Sequence, residues 1–192
     1  MKKFVTLLLV SLVASVAFAG VDSGTDSFGV YFDTAGNSNT TTVGLYTPFF
    51  AYLVLANPAG ATNGFECTVT PSGAAYFSLA TTLGGTGALD VDGSANGFAV
   101  GAASDYPIAN GGIVLVTWQL MVSSPLPLEF RISKATIPSM PGNLPVVTGN
   151  GSLRLCGISS GSSTAPVAYV NSPNQVVGAQ TSSFGSVKSL FR

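Results

Sequence analysis

The sequence predicts an all-β fold, an antiparallel β-sandwich of the jelly-roll kind with about nine strands. Three observations carry that prediction. No run sustains a 3.6-residue apolar period. Gly and Pro punctuate the chain throughout, with 23 Gly and 11 Pro in 192 residues. The segments between these breaks are rich in Val, Phe, Tyr and Thr, which suit a pleated, half-buried surface. No helical stretches separate them, which argues against a parallel α/β sheet.

In chain order the strand-like segments are FGVYFD from Phe28, FFAYLVLAN from Phe49, GFECTVT from Gly64, AAYFSLA from Ala74 and GFAVGAA from Gly97. They continue with GIVLVTWQLMV from Gly112, LEFRISKA from Leu128, SLRLCGI from Ser152 and VAYVN from Val167. In the Leu128 segment Leu128, Phe130 and Ile132 alternate with Glu129, Arg131 and Ser133, so the first set faces inward. In the Gly112 segment the set Val114, Val116, Trp118, Leu120 and Val122 is wholly apolar, which predicts a central strand with Trp118 in the core.

The start of the chain reads as a secretory leader. Lys2 and Lys3 precede an apolar stretch from Phe4 to Val16, and Ala17-Phe18-Ala19 supplies the small-residue cleavage site. The stretch is short of the roughly 20 residues that span a bilayer, and Pro, Gly or Asn interrupts every later apolar run. The expected division is 1–19 signal peptide, 20–171 sandwich and 172–192 tether with a short tail. The expected destination is the cell surface or the medium, with the periplasm as the alternative.

Without Lys2 and Lys3, five basic residues stand against eight acidic ones, a net charge of −3. Nucleic-acid binding needs clustered Lys and Arg, so no nucleic-acid partner is expected. Charged residues make up 8% of the chain, where about a quarter is usual. Its surface is therefore built from Ser, Thr, Asn and Gly.

There is no histidine, which removes Ser-His-Asp and Cys-His catalysis and His-ligated zinc. A glycosidase needs two carboxylates across a cleft; Glu66 and Glu129 fall on polar strand faces, and nothing in the sequence pairs them. The chain is not expected to be an enzyme. The metal candidate is LDVDGSANG, where Asp90, Asp92, Ser94 and Asn96 alternate oxygen donors as a calcium loop requires. Gly93 and the missing Glu depart from the EF-hand pattern, and an Asp-Gly turn explains the same residues. The turn is the preferred reading, so no cofactor is expected, and calcium is the alternative.

Cys67 and Cys156 are the two cysteines. An oxidising export route favours a disulfide between them. Strand parity opposes it: Phe65, Cys67 and Val69 face inward, whereas an inward Leu153 and Leu155 leave Cys156 outward beside Arg154. Bonding then needs a bulge or a strand end at Gly157. For sugar binding, Tyr46, Tyr76 and Tyr106 lie in polar or turn-rich surroundings and form the candidate stacking platform.

The stretch FFAYLVLANPAGATNGFECTVTPSG resembles the opening of bacterial exported cohesin-like and carbohydrate-binding-module-like sandwiches. Gly64-Phe65-Glu66-Cys67-Thr68-Val69 matches their Gly, aromatic, Glu, apolar, any, apolar strand. The resemblance covers about residues 28 to 171 at the level of strand order. It implies a jelly roll used for adhesion or assembly at a surface or in a secreted complex. The chain has no dockerin-like segment, so a cellulosome role does not follow.

Together these readings give an exported, non-catalytic structural or protein-interaction module whose partner is a surface or secreted protein. A carbohydrate-binding module with a glycan partner is the alternative, and a secreted hydrolase comes third. The ending SSFGSVKSLFR completes the reading. Ser183 is placed to cap a short C-terminal helix with Phe184, Val187 and Phe191 on one face and Leu190 beside them. Lys188 and Arg192 sit where positive charge suits the helix dipole. These six residues are read as a docking tail, and Gly185 to Arg192 resemble endings of other exported bacterial proteins.

Overall fold

The computed structural model describes residues 22–173. The expected leader and the tail residues Phe184, Val187, Lys188, Leu190, Phe191 and Arg192 lie outside them. The described chain is all-β. Its strands are β1 (Ser27–Tyr31), β2 (Thr40–Thr41), β3 (Pro48–Ala56), β4 (Gly64–Gly73), β5 (Tyr76–Leu83), β6 (Leu89–Asp90), β7 (Gly97–Gly101), β8 (Gly112–Val122), β9 (Leu128–Ser133), β10 (Val146–Gly149), β11 (Ser152–Leu155), β12 (Gly157–Ile158) and β13 (Ala168–Val170). No described helix is long and apolar enough to cross a membrane.

Two sheets face each other. The first runs β12-β1-β3-β8-β5 and the second β11-β10-β4-β9-β13-β2, with β7 also on β4 and β6 on β7. Most pairings are antiparallel, but β1–β12 and β13–β2 are parallel. The sandwich is therefore mixed where the sequence predicted antiparallel pairing throughout. Both parallel pairs are two residues long and sit at sheet ends, too short to leave a periodic signal.

The core lies between the sheets, with Leu53, Leu55 and Leu120 from one side against Phe65, Val69, Phe130 and Ile132 from the other. Each such burial stabilises by roughly 1.5–3 kcal/mol. β9 alternates buried and half-buried residues as its pattern predicts. β8 spans the predicted residues, yet its parity changes midway. Leu53 pairs with Val116 but Val54 pairs with Val114, so Leu115 is an extra residue in a bulge. Ile113 and Leu115 are buried and Val114 turns outward, a correction to the predicted inward set.

A second correction concerns the Ser152 segment. It divides into β11 and β12, which belong to different sheets. The hairpin β10–β11 closes Gly149 against Ser152 through Asn150-Gly151, with φ of 51° and 71°. That is the two-residue Asn-Gly turn that fixes hairpin register. In this register Arg154 stands opposite the buried Val147. Leu153 and Leu155 are left 47% and 43% exposed, and Cys156, just past the strand end, is buried.

Candidate functional site

The two long sides of the sandwich are built differently. On one side the chain crosses between the sheets at Cys156, and there Asp26 meets Arg154. The Arg154 Nε lies 2.9 Å from Asp26 Oδ2. Arg154 also donates to the Ala61 carbonyl and the Thr62 hydroxyl, and the Ala59 amide donates to Asp26. Burial pushes the Asp26 carboxyl up, but its bonds to Arg154 and Ala59 and the Arg154 charge outweigh this and hold its pKa below the ordinary value. Every polar arm of this pair is committed, so its role is structural. Sequence reasoning missed it because the two residues are far apart in the chain and Arg154 was placed on the outer face.

On the other side β5 is the last strand of the first sheet, and no described strand pairs with its far edge. Its inward positions, opposite Leu120 and Trp118 of β8, are filled by Ser78 and Thr81. Small polar residues there leave the interior incompletely filled. A cleft of about 350 Å³ opens between the sheets, lined by β5, β8, Val69 and Pro71 of β4, Phe130 of β9 and residues 94–98. Trp118 and Phe98 pack edge to face in its wall, with ring centroids 5.9 Å apart. Trp118 is thus inward-facing as predicted, and it also lines the cleft.

The calcium candidates gather beside this cleft, with Asp90, Ser94 and Asn96 in its lining. Their oxygens already serve the loop. Asp90 Oδ1 accepts from the amides of Asp92 and Ala99, Asp92 Oδ1 from Ser94, and the Ser94 hydroxyl from Gly97. Among the described residues no three His, Cys, Asp or Glu residues gather as a metal cluster.

The outer face of the first sheet mixes apolar residues with a few neutral polar ones. Across β3, β8 and β5 the register aligns Pro48, Met121 and Phe77, then Phe50, Gln119 and Ala80, then Tyr52, Thr117 and Thr82. None of these is charged. Phe50 and Phe77 are 50% and 51% exposed, and Phe50 stacks on Tyr52.

The three platform tyrosines stand in three settings. Tyr46 is 63% exposed before β3, Tyr76 lines the cleft, and Tyr106 is buried. They do not form one exposed plane. Burial raises the Tyr106 phenol to about 12. The carboxylates are not paired either. Glu66 accepts from the Ser139 amide and hydroxyl, and Glu129 bonds to Arg131.

Cys67 and Cys156 are both buried and free, a correction to the expected disulfide. Cys156 faces inward as bonding required, because the strand ends before Gly157. Its thiol instead donates to the Arg154 carbonyl at 3.6 Å. Burial, helped by the Asp26 charge, raises the Cys156 thiol to about 12. Burial likewise pushes the Cys67 thiol well up, and the nearby Asp90 carboxylate adds to the rise.

No family model matches the chain, and no curated protein matches it. Among solved structures it is similar to a cohesin module of a family 33 glycoside hydrolase from Clostridium perfringens ATCC13124. That match has 12% identity and a TM-score of 0.40, and it covers 69% of this chain and 91% of that one. It is also similar to a type II cohesin domain from the cellulosome of Acetivibrio cellulolyticus, at 13% identity and a TM-score of 0.44, covering 77% and 95%.

Proposed function

We propose that this protein is an exported, non-catalytic interaction module that takes an extended segment of a partner protein along β5. The observation that carries this reading is the character of that strand. β5 is eight residues long, contains no charge, Pro or Gly, and is exposed from Phe77 to Thr82. Edge strands normally carry charge, Pro or a cover, because their open backbone groups recruit other strands. Here the guarding is limited to a bulge at Leu79.

An incoming strand gains backbone hydrogen bonds from β5 and sets its side chains beside Phe77, and the rest of the partner covers Met121 and Phe50 further across the same face. A patch that lacks charge and carries exposed Phe with Tyr and Met beside it has the composition of an interface centre. The leader supports placement at the cell surface or in the medium.

The test uses the full chain as bait against the proteins exported by its source. The expected result is a partner retained by the wild type and lost from Phe50→Lys/Phe77→Lys, with hydrogen exchange slowed in β5 when the complex forms. A partner that binds this variant equally well, or that protects other strands and not β5, would overturn the reading.

A further inference from the structure

The cleft beneath β5 carries a second inference, independent of the outer face. We infer that it is a binding pocket for one neutral sugar residue, the end or a branch of a glycan.

Its polar groups are free to bind. Asp90 is held in place by two amides on Oδ1, and its Oδ2 has no hydrogen-bond partner among the described residues. The side chains of Asn96, Thr81, Ser78 and Tyr76 line the same space, and no hydrogen bond to any of them occurs among the described residues. Convergence of uncommitted donors and acceptors on one cavity is the opposite of the Asp26–Arg154 side, where every arm is used. All five side chains are half-exposed or exposed, so water serves them in the open cleft, and a ligand that matches their donors and acceptors can replace it.

The chemistry of the lining selects the ligand. No Lys or Arg lines the cleft, and a carboxylate stands in it, so an anion is repelled. An aliphatic chain would leave several donors and acceptors desolvated and unpaired, at a cost of about 1–3 kcal/mol each. A pyranose meets both demands. Its hydroxyls donate and accept to a carboxylate, an amide and hydroxyls, while its C–H face packs on Trp118 or Tyr76. At about 350 Å³ the space is near the lower end of the roughly 300–1,000 Å³ of ligand pockets. That suits one ring and not a chain.

Trp118 is the single tryptophan, so its emission reports occupancy directly. The experiment titrates the full chain with neutral monosaccharides and their methyl glycosides, and in parallel with a uronic acid and an apolar naphthalene dye. The expected result is a saturable emission change with at least one neutral sugar and none with the uronic acid. Affinity should fall at least tenfold in Asp90→Asn, which keeps the oxygen that anchors the loop, and in Asn96→Ala, with thermal melts near that of the wild type. Thr81→Leu, which fills the cleft, should abolish the response while the protein stays folded. Phe77→Lys, on the outer face, should leave it unchanged, so this site and the β5 interface fail separately. Absence of saturation with every neutral sugar, tighter binding of the dye or the uronic acid, or sugar binding that persists in Thr81→Leu would overturn the inference.

Discussion

The Asp26–Arg154 side and the β5 side of the sandwich solve the same problem in opposite ways. Each is a long edge where two sheets must be closed. On the first, β1 is buried along its whole length, Tyr31 lies against Gly29, where an added Cβ would meet its ring, and a salt bridge ties the crossing chain down. On the second, the last strand points Ser78 and Thr81 inward and leaves its backbone edge open. The difference teaches that closure here is a property of side-chain commitment and not of strand count. One edge stores stability, and the other holds the groups left over for binding.

The thiols give the largest expected effect. Cys156 belongs to the closed side, and Cys67 pairs across to Phe98 in the cleft wall. Both are buried with raised pKa values. Reaction therefore requires opening of the fold, and both should label about a thousandfold more slowly in the folded protein at pH 8 than after denaturation. Faster labelling of Cys67 alone would show that the cleft reaches deeper into the core. A Cys67–Cys156 crosslink in non-reducing mass mapping would overturn the free-thiol assignment.

Breaking the closed side comes next. Arg154→Met leaves the Asp26 carboxylate buried without its partner, at an expected cost of about 3–4 kcal/mol in denaturant unfolding. The same pair sets an acid limit. Its folded-state pKa is lowered, so its contribution is fully present above the unfolded value near 3.8 and is lost as pH falls through the lower folded value. The melting temperature should drop as pH is lowered from 4 toward 2, and Asp26→Asn should flatten that drop while starting from a lower melting temperature. An equally steep drop in Asp26→Asn would assign the acid sensitivity elsewhere.

Much of this contrast was invisible in the sequence for identifiable reasons. Apolar alternation located β3, β4, β8 and β9, because long strands with one buried face leave a clear period. It mis-assigned Arg154 because Leu153 and Leu155 mimic an inward pair, and the true arbiter was the hairpin turn. Asn150-Gly151 before SLRL was the available signal; it predicts a strand on its other side, the missed β10, and fixes the register that turns Arg154 inward. The bulge at Leu115 leaves no signal in a run of Ile, Val and Leu, where either parity is apolar. The cleft was half legible. Asp90 and Asn96 stood out as oxygen donors, whereas Ser78 and Thr81 did not, because small polar residues in a strand look like part of an outer face. Only the pairing of β5 with β8 brings those two sets to the same space.

The smallest expected effect tests the open side itself. Thr81→Val keeps the volume of the side chain and removes the hydroxyl. Thr81 is exposed through the cleft, and its hydroxyl makes no hydrogen bond among the described residues. Removing it therefore breaks no internal bond and exposes no new polar group. A substitution of this kind shifts stability by no more than about 0.5 kcal/mol. The sign is informative at that scale. A gain beyond about 1 kcal/mol would mean the hydroxyl sits desolvated in a closed interior. A loss of more than about 1 kcal/mol would mean it holds a bond that locks β5 down. Either result would make the two sides alike. A near-neutral value, beside the large cost of Arg154→Met, is what a committed edge and an uncommitted edge require.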